Sequence, residues 1–432
     1  MGRRKINSPD IHLNLNVRGL PLSATLEINE KSNYLKSKGR RIFKLGLGQS
    51  PFPVPQSVVD ALKVNAHQKD YQPVKGLYEL REAVADYHRR SQGINHNPED
   101  VLIGPGSKEL MFLLQLVYYG DLVIPTPSWV SYAPQAHIIG RHVHWLPTHR
   151  DNNWKLTPDE LIAHCKNDPH KPRIVILNYP ANPSGMTYTI DELKEIARVA
   201  FDHKIIMLSD EIYGELHHRG KHVSIARFYP EGTIISSGLS KWCGAGGWRL
   251  GTFTFPKSLR WLLDAMSSVA SETYTATSAP IQYAAVRAFK GGLKIENYLW
   301  NCRIILRRLS KLLVTKLNNA GIAVTQPDGA FYLFPDFILH KNKFDKKKIT
   351  NSFELADKLL EETGVAILPG VSFGRPETEL TARIAYVDFD GTRALSAAEQ
   401  VKSEKDIDND FLETYCGNTI EAIDRICDWV EG

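Results

Sequence analysis

From about residue 75 to residue 260 the chain alternates between two hydrophobic periods, and this alternation restricts its fold more than any other feature. Segments with helical spacing, such as ELREAVADYHRR (79–90) and DELKEIARVAFDHK (191–204), are interleaved with short apolar runs: RIVILNYP (173–180), KIIMLSD (204–210), GTIISSGLS (232–240) and GTFTFP (251–256). Short apolar runs suit strands buried on both faces, and the helices between them supply the crossovers that parallel strands require. The pattern predicts an α/β layer around a mostly parallel sheet. In open sheets of this kind ligands gather beyond the carboxyl ends of the strands. Polar punctuation stands at those places: NYPANPSG (178–185) after one run, SDEIYGE (209–215) at the end of another, and SGLSKWCGAGG (237–247) after a third.

A long helix-like segment, NYLWNCRIILRRLSKLLVTKLNNAG (297–321), ends this regime, and short strands and helices follow. They predict a second, smaller α+β domain. The first fifty residues, with Pro21 and Pro51 and little periodicity, are expected to wrap another surface. The resulting division is an arm with part of the small domain over 1–59, a large domain over 60–305, and the rest of the small domain over 306–432. A chain of 432 residues that is 43% hydrophobic buries a large core in two or three such units. The formal net charge of +5 is scattered, which argues against nucleic acid. Its densest cluster, Lys343 to Lys348, reads as a solvated loop. Five cysteines at irregular spacings (Cys165, Cys243, Cys302, Cys416 and Cys427) indicate neither a disulfide framework nor a zinc site. The basic start MGRRKINSPD lacks an apolar core of signal-peptide length, and Ile6 stands where myristoylation wants Ser or Thr. With no apolar stretch near the ~20 residues of a membrane span, the expected location is the cytoplasm.

A lone lysine after a strand is usually a solvated side chain, but Lys241 has an unusual neighbourhood. It follows an apolar strand and precedes a Gly-rich turn that leads to Trp248 and Arg249. An amine that attacks a carbonyl must be neutral, hence held in a dry, positioned site, and a nearby arginine suits an anion by bidentate contact. Upstream, GPGSKEL (104–110) follows the strand-like run VLI and opens a helix, whose free amides and positive dipole end also suit an anion. Arg383, in TARIAYVDF (381–389), sits in an otherwise apolar strand where an unpartnered guanidinium would be costly.

Together, S-x-x-S-K and the following G-G-W-R-x-G (237–251) resemble the cofactor-lysine signature of class I and II aminotransferases of pyridoxal-phosphate (PLP) fold type I. That resemblance implies a large domain with a mostly parallel central sheet and a smaller α+β domain. It implies pyridoxal 5'-phosphate held by Lys241 as a Schiff base, with Arg249 on the phosphate. Many members place a phosphate-binding Ser three residues before the lysine; Gly238 stands there, leaving Ser237 and Ser240 as candidates. In the same family pattern Asp210 faces the ring nitrogen, where a carboxylate makes the ring the better electron sink. Tyr213 and Asn182 match the residues that hydrogen-bond the phenolic oxygen, and Trp129, in PTPSWVSY, the aromatic that stacks on the ring and borders the substrate. Gly106, Ser107 and Lys108 match the phosphate cradle. Arg383 corresponds to the arginine that grips the substrate α-carboxylate, and Gly48, in GLGQSPFP, to a glycine whose backbone contacts it. Tyr71, in KDYQPVKGLYELR, matches a tyrosine that reaches the phosphate of a partner subunit, which implies a homodimer with shared sites.

The resemblance extends from about Ser23 to Val387. The stretch from Asp390 to Asp410 is longer and more polar than the family has there, and reads as an insertion on the small domain. GSKE (106–109) and LSAT (22–25) resemble an aspartate aminotransferase subgroup in which the lysine lies near the distal carboxylate of the substrate. The activity implied is two-half transfer from an amino acid, aspartate, to 2-oxoglutarate, with catalytic roles for Lys241, Asp210 and Tyr213. Aromatic or prephenate-type donors, a PLP lyase or synthase, and a non-enzymatic regulator are the alternative readings.

Overall fold

A computed structural model describes residues 12–401 and 403–432. The basic start MGRRKINSPD, with Ile6, lies outside the described residues. The central sheet has seven strands in the order β2-β8-β7-β6-β5-β3-β4. These are β2 (Val101–Gly104), β3 (Asp121–Thr126), β4 (Val143–Pro147), β5 (Arg173–Asn178), β6 (Ile206–Asp210), β7 (Thr233–Gly238) and β8 (Gly251–Thr254). All neighbours are parallel except β8, which runs antiparallel to both β2 and β7. Every residue of β6 and β7 is buried, as expected for strands covered on both faces.

Two of the covering helices begin where the sequence supplies caps. Thr189 forms a capping box with Glu192 at the start of the helix Ile190–Asp202, and Thr157 does so with Glu160 before Pro158–Cys165. Apolar faces of Leu193, Ile196, Ala197 and Ala200 then pack under the sheet with Val175, Leu177 and Met207.

A second region carries the remaining strands. β9 (Tyr332–Leu333), β11 (Leu368–Pro369) and β12 (Ala382–Ala385) form an antiparallel sheet, and β1 (Phe43–Lys44) pairs in parallel with β10 (Val365–Ala366). The N-terminal residues therefore join strands from near the other end of the chain. The long helix Leu293–Asn319 is continuous through residues 305 and 306, so the expected boundary there falls inside one rigid element. All five cysteines are free. Among the described residues no helix is long and apolar enough to cross a membrane.

Three expectations need correction. The N-terminal segment contains a helix, Ala24–Ser37, whose charged sequence hides its period: Ser32 is its one buried residue. The Lys343 cluster forms a short helix, Lys341–Lys346, not a solvated loop. Lys343 Nζ donates to the terminal carbonyls of Val430 and Glu431, at 2.8 and 2.6 Å, and Lys347 lies over the Trp429 ring. These contacts satisfy the carbonyl end of the last helix, Asn409–Glu431. The stretch after Asp390, finally, is not simply a polar insertion. Gly391–Ala398 is a helix with Ala394, Leu395 and Ala398 in the main core, and Pro51 O lies where a Cβ on Gly391 would stand.

Asp390 caps that helix by accepting from Thr392 N and Arg393 N. Asp390→Ala is expected to cost about 1 kcal/mol, read as a lower denaturation midpoint in urea at unchanged slope.

Candidate active site

The carboxyl ends of three adjacent strands deliver the site. Asn178 at the end of β5, Asp210 at the end of β6 and Ser236 in β7 are neighbours in register. The loops beyond them bring Asn182, Tyr213 and Lys241.

Asp210 is buried. Its Oδ2 accepts from Tyr132 Oη at 2.5 Å, and its Oδ1 from Ser236 Oγ at 3.3 Å and Ile212 N at 3.4 Å. Burial raises its pKa to about 6 against the pull of these hydrogen bonds. The next residue, Glu211, points elsewhere, bonded to Ser209 Oγ, Ser224 Oγ and His222 Nε2 at 2.7, 2.5 and 2.8 Å. With Glu211 pinned by three groups, the strand end has one orientation, and Asp210 faces the site.

The Lys241 residue is half-buried, yet its amine lies 5.7 Å from the Tyr213 ring centre and 6.0 Å from that of Phe331. Its hydrogen bond goes to Gly48 O at 2.7 Å. Desolvation, then repulsion from Arg383 and Arg249, lowers its pKa to about 8, with Asp210 pulling the other way.

Arg383 is buried on β12. Its Nη1 donates to Asn182 Oδ1 at 3.1 Å and its Nη2 to Gly46 O, while Nε has no partner. The guanidinium sits 4.8 Å from the Tyr332 ring centre and 5.1 Å from that of Phe373. Such a group is positioned but incompletely satisfied, as a receptor for a carboxylate must be.

The anion-ready turn is also present. The helix Ser107–Val117 starts after Gly106, with no side chain capping it. Gly106 has φ +92°, and a Cβ there would lie 2.2 Å from Arg249 Nη2. A Cβ on Gly251 would lie 2.1 Å from Ser107 N. Bare backbone and one guanidinium thus line this corner. Lys108 stands at its solvent edge, with Nζ 5.1 Å from the Trp129 ring centre; desolvation and then Arg249 lower its pKa. Trp129 packs edge-on to Tyr132, the partner of Asp210.

Lys241, Gly48, Asp210, Tyr213, Asn182, Arg249 and Arg383 therefore converge, with Gly106, Ser107, Lys108 and Trp129 on one side. One candidate stands apart: Tyr71 is 91% exposed. The hydroxyls of Ser237 and Ser240, on either side of Gly238 and Leu239 just before Lys241, have no hydrogen bond among the described residues. Three participants were not read from the sequence. Tyr332 Oη pairs with Tyr213 Oη at 2.6 Å and would be struck by any Cβ on Gly48; Tyr132 and Gly46 complete the set. Tyr332, in GAFYLF, carries no motif beyond an apolar strand, although Tyr132 ends the PTPSWVSY stretch already singled out.

An amine poised near neutrality, set between a carboxylate and guanidinium groups at the strand ends of an α/β sheet, is equipment for moving a group onto or off a substrate with its own negative charge. Fold and site thus define a transferase. Residues 40–391 match the family described as Aminotransferase class I and II, and the chain belongs to that family. It is an aminotransferase. It is 34% identical over 379 residues to the aspartate aminotransferase of Geobacillus stearothermophilus, covering 86% of this chain and 93% of that protein. It is 32% identical to the asparagine–oxo-acid transaminase of Streptococcus mutans, covering 84% and 92%. The solved structure of Thermus thermophilus aspartate aminotransferase with maleate superposes with a TM-score of 0.82 at 27% identity, covering 97% of this chain and 100% of that one.

Because burial and neighbouring cations disfavour the ammonium form, the Lys241 amine becomes mostly neutral above about pH 8. In cofactor-free protein its acylation, followed by mass spectrometry, is expected to rise through pH 8, while exposed lysines respond nearer pH 10.

Proposed function

We propose that the chain transfers the amino group of aspartate to 2-oxoglutarate with pyridoxal 5'-phosphate as cofactor. The observation that carries this reading is the Lys241 amine, depressed toward neutrality and within electrostatic reach of Asp210, Arg249 and Arg383. The residues present fit the cofactor. The Gly106–Ser107 turn opens a helix whose first amides no side chain caps, and Gly106 lies against the Arg249 guanidinium, so amides and guanidinium would hold a phosphate together, and buried Asp210 suits a cationic ring nitrogen. Tyr213 and the Nδ2 of Asn182, whose Oδ1 is taken by Arg383, would hold the phenolic oxygen, and Trp129 the ring face. When bound, the cofactor supplies an electron sink for the bonds at the substrate α-carbon.

The chain's own groups do the rest. Arg383 binds the α-carboxylate, with Gly48 beside it, and so orients the α-hydrogen. Lys241 holds the cofactor covalently between turnovers and moves the proton at the α-carbon once freed. Lys108 faces the distal carboxylate. One site serves amino acid and oxo acid in turn, so initial-rate plots are parallel lines. Because relatives include aspartate/prephenate aminotransferases, the donor is best assigned with a panel of amino acids against 2-oxoglutarate and oxaloacetate.

The reading includes a homodimer in which Tyr71, exposed in the single chain, reaches the phosphate across the interface, and a cytoplasmic location suited to five free thiols. It takes 60–305 as the cofactor domain, with 1–59 and 306–432 closing over it.

Borohydride treatment of protein soaked in pyridoxal phosphate is expected to trap an adduct at Lys241. Lys241→Ala should give none and lower turnover by about 10³-fold or more; a colourless, adduct-free wild type would end the proposal. Lys108→Ala is expected to lower kcat/KM for aspartate about tenfold while leaving aromatic donors within about twofold. Undiminished aspartate turnover would remove the dicarboxylate assignment.

A further inference from the structure

The segment beyond Asp390 has a second feature that aminotransfer does not use. After the helix Gly391–Ala398 it carries Glu404 to a cleft of about 420 Å³ beside the long helix Leu293–Asn319. Arg307, Arg308 and Lys311 of that helix line the cleft with Arg219, so four cationic side chains face the two carboxylates of Asp328 and Glu404. His217 and His218 complete one wall. Burial and then His222 push His217 down to about 3, and burial pushes His218 down to about 4, so near neutral pH they contribute polarity rather than charge. None of the groups around the Lys241 amine belongs to this cleft.

Glu404 shows what the cations accept. Its Oε2 pairs with Arg307 Nη2, its Oε1 lies 3.6 Å from Arg308 Nε, and its backbone oxygen accepts from Arg308 Nη2 at 3.2 Å. One carboxylate therefore occupies a fork of two guanidinium groups, the geometry that also matches phosphate. Among the described residues neither Arg219 nor Lys311 has a carboxylate within ion-pair distance, although Arg219 is near enough to pull on the Asp328 carboxyl, so four cations outnumber the two carboxylates of the cleft. The three side chains are partly open to water, Glu404 35% exposed and Arg307 and Arg308 24% and 30%, while the facing Arg307 Nη2 and Arg308 Nε are themselves buried and make no well-formed hydrogen bond. Ion pairs in such settings are weak and yield to competing anions. Besides the Arg308 bond to the Glu404 carbonyl, the backbone beneath is anchored by the Ser403–Asp406 capping box and by Ile407 in the core. The Glu404 side chain is thus free to leave the fork without unseating the segment.

We infer that this cleft is a binding site for a small dianion, a phosphate ester or a polycarboxylate, which takes the Arg307–Arg308 fork from Glu404 and is completed by Arg219 and Lys311. A doubly charged ligand matches the uncompensated cations better than the resident single carboxylate does.

The test is isothermal titration of cofactor-saturated protein with inorganic pyrophosphate and, separately, with citrate. Saturation with cofactor keeps the first phosphate corner out of the measurement. Wild type is expected to bind at least one of the two saturably. Glu404→Gln, which removes the internal competitor, should tighten that binding about fivefold or more. The paired change Arg307→Gln with Arg308→Gln should abolish it, thermal melting being recorded to establish that the variant is folded. Response to pyrophosphate alone assigns the cleft to phosphate-bearing ligands, and response to citrate alone to polycarboxylates. Absence of binding in both wild type and Glu404→Gln, or binding indifferent to either variant, would overturn the inference. Because Glu404→Gln acts in the direction opposite to the arginine changes, misfolding of the latter cannot imitate the expected result.

Discussion

Repulsion among cations sets the character of this protein's site. Arg383, Arg249 and Lys108 each make it harder for Lys241 to keep its proton, and Asp210 alone among the named charges makes it easier. Desolvation by burial acts on the same side and is the larger influence. The chain has gathered positive charge around an amine that gives up its proton more readily for it. Such an arrangement is stable because the arginines have other partners: Arg383 has Asn182 and Gly46, and Arg249 has Gly246. It also means that negative charge is what the site lacks, so ligands with carboxylate or phosphate groups relieve the repulsion as they bind.

The fold makes this arrangement by bringing strand ends into register. Asp210 stands between Asn178 and Ser236 on neighbouring strands, and Lys241 follows β7 by three residues. Opposite them, β12 supplies Arg383 and β9 supplies Tyr332, paired two residues apart in an antiparallel ladder. Tyr332 touches both halves: its hydroxyl meets Tyr213, and its ring faces the Arg383 guanidinium. Asn182 does the same through Arg383. The Arg383 guanidinium is thereby referred to the central sheet through two side chains rather than through a flexible loop.

What was legible in the sequence was local. Lys241 with Arg249, Asp210 with Tyr213, and the Asn182 turn each lie within one short segment, so each motif could carry the family resemblance by itself. The parallel strands were legible for the same reason, their apolar runs being uninterrupted. Tyr332, Tyr132 and Gly46 were not, because their roles arise from contacts with residues far away in the chain, and a buried tyrosine in an apolar strand looks like core. The helix Ala24–Ser37 escaped because it buries almost nothing, so no apolar stripe marks it. The helices at 341–346 and 391–398 escaped for a related reason. Charged residues dominate the first, and the second is a short turn of alanine and leucine whose burial depends on Pro51 and the long helix, not on its own pattern.

The contact between Arg383 and Gly46 joins residues 337 positions apart, and β1 waits on β10, its one strand partner among the described residues. During synthesis, at about 5–20 residues per second, the N-terminal loop would emerge roughly 20–70 s before the residue that completes it. For that interval Phe43 and Leu45, fully covered in the finished molecule, have no native surface to rest on. The nascent chain must therefore shelter its beginning until its end arrives, which makes this pairing a point at which chaperones have most to protect.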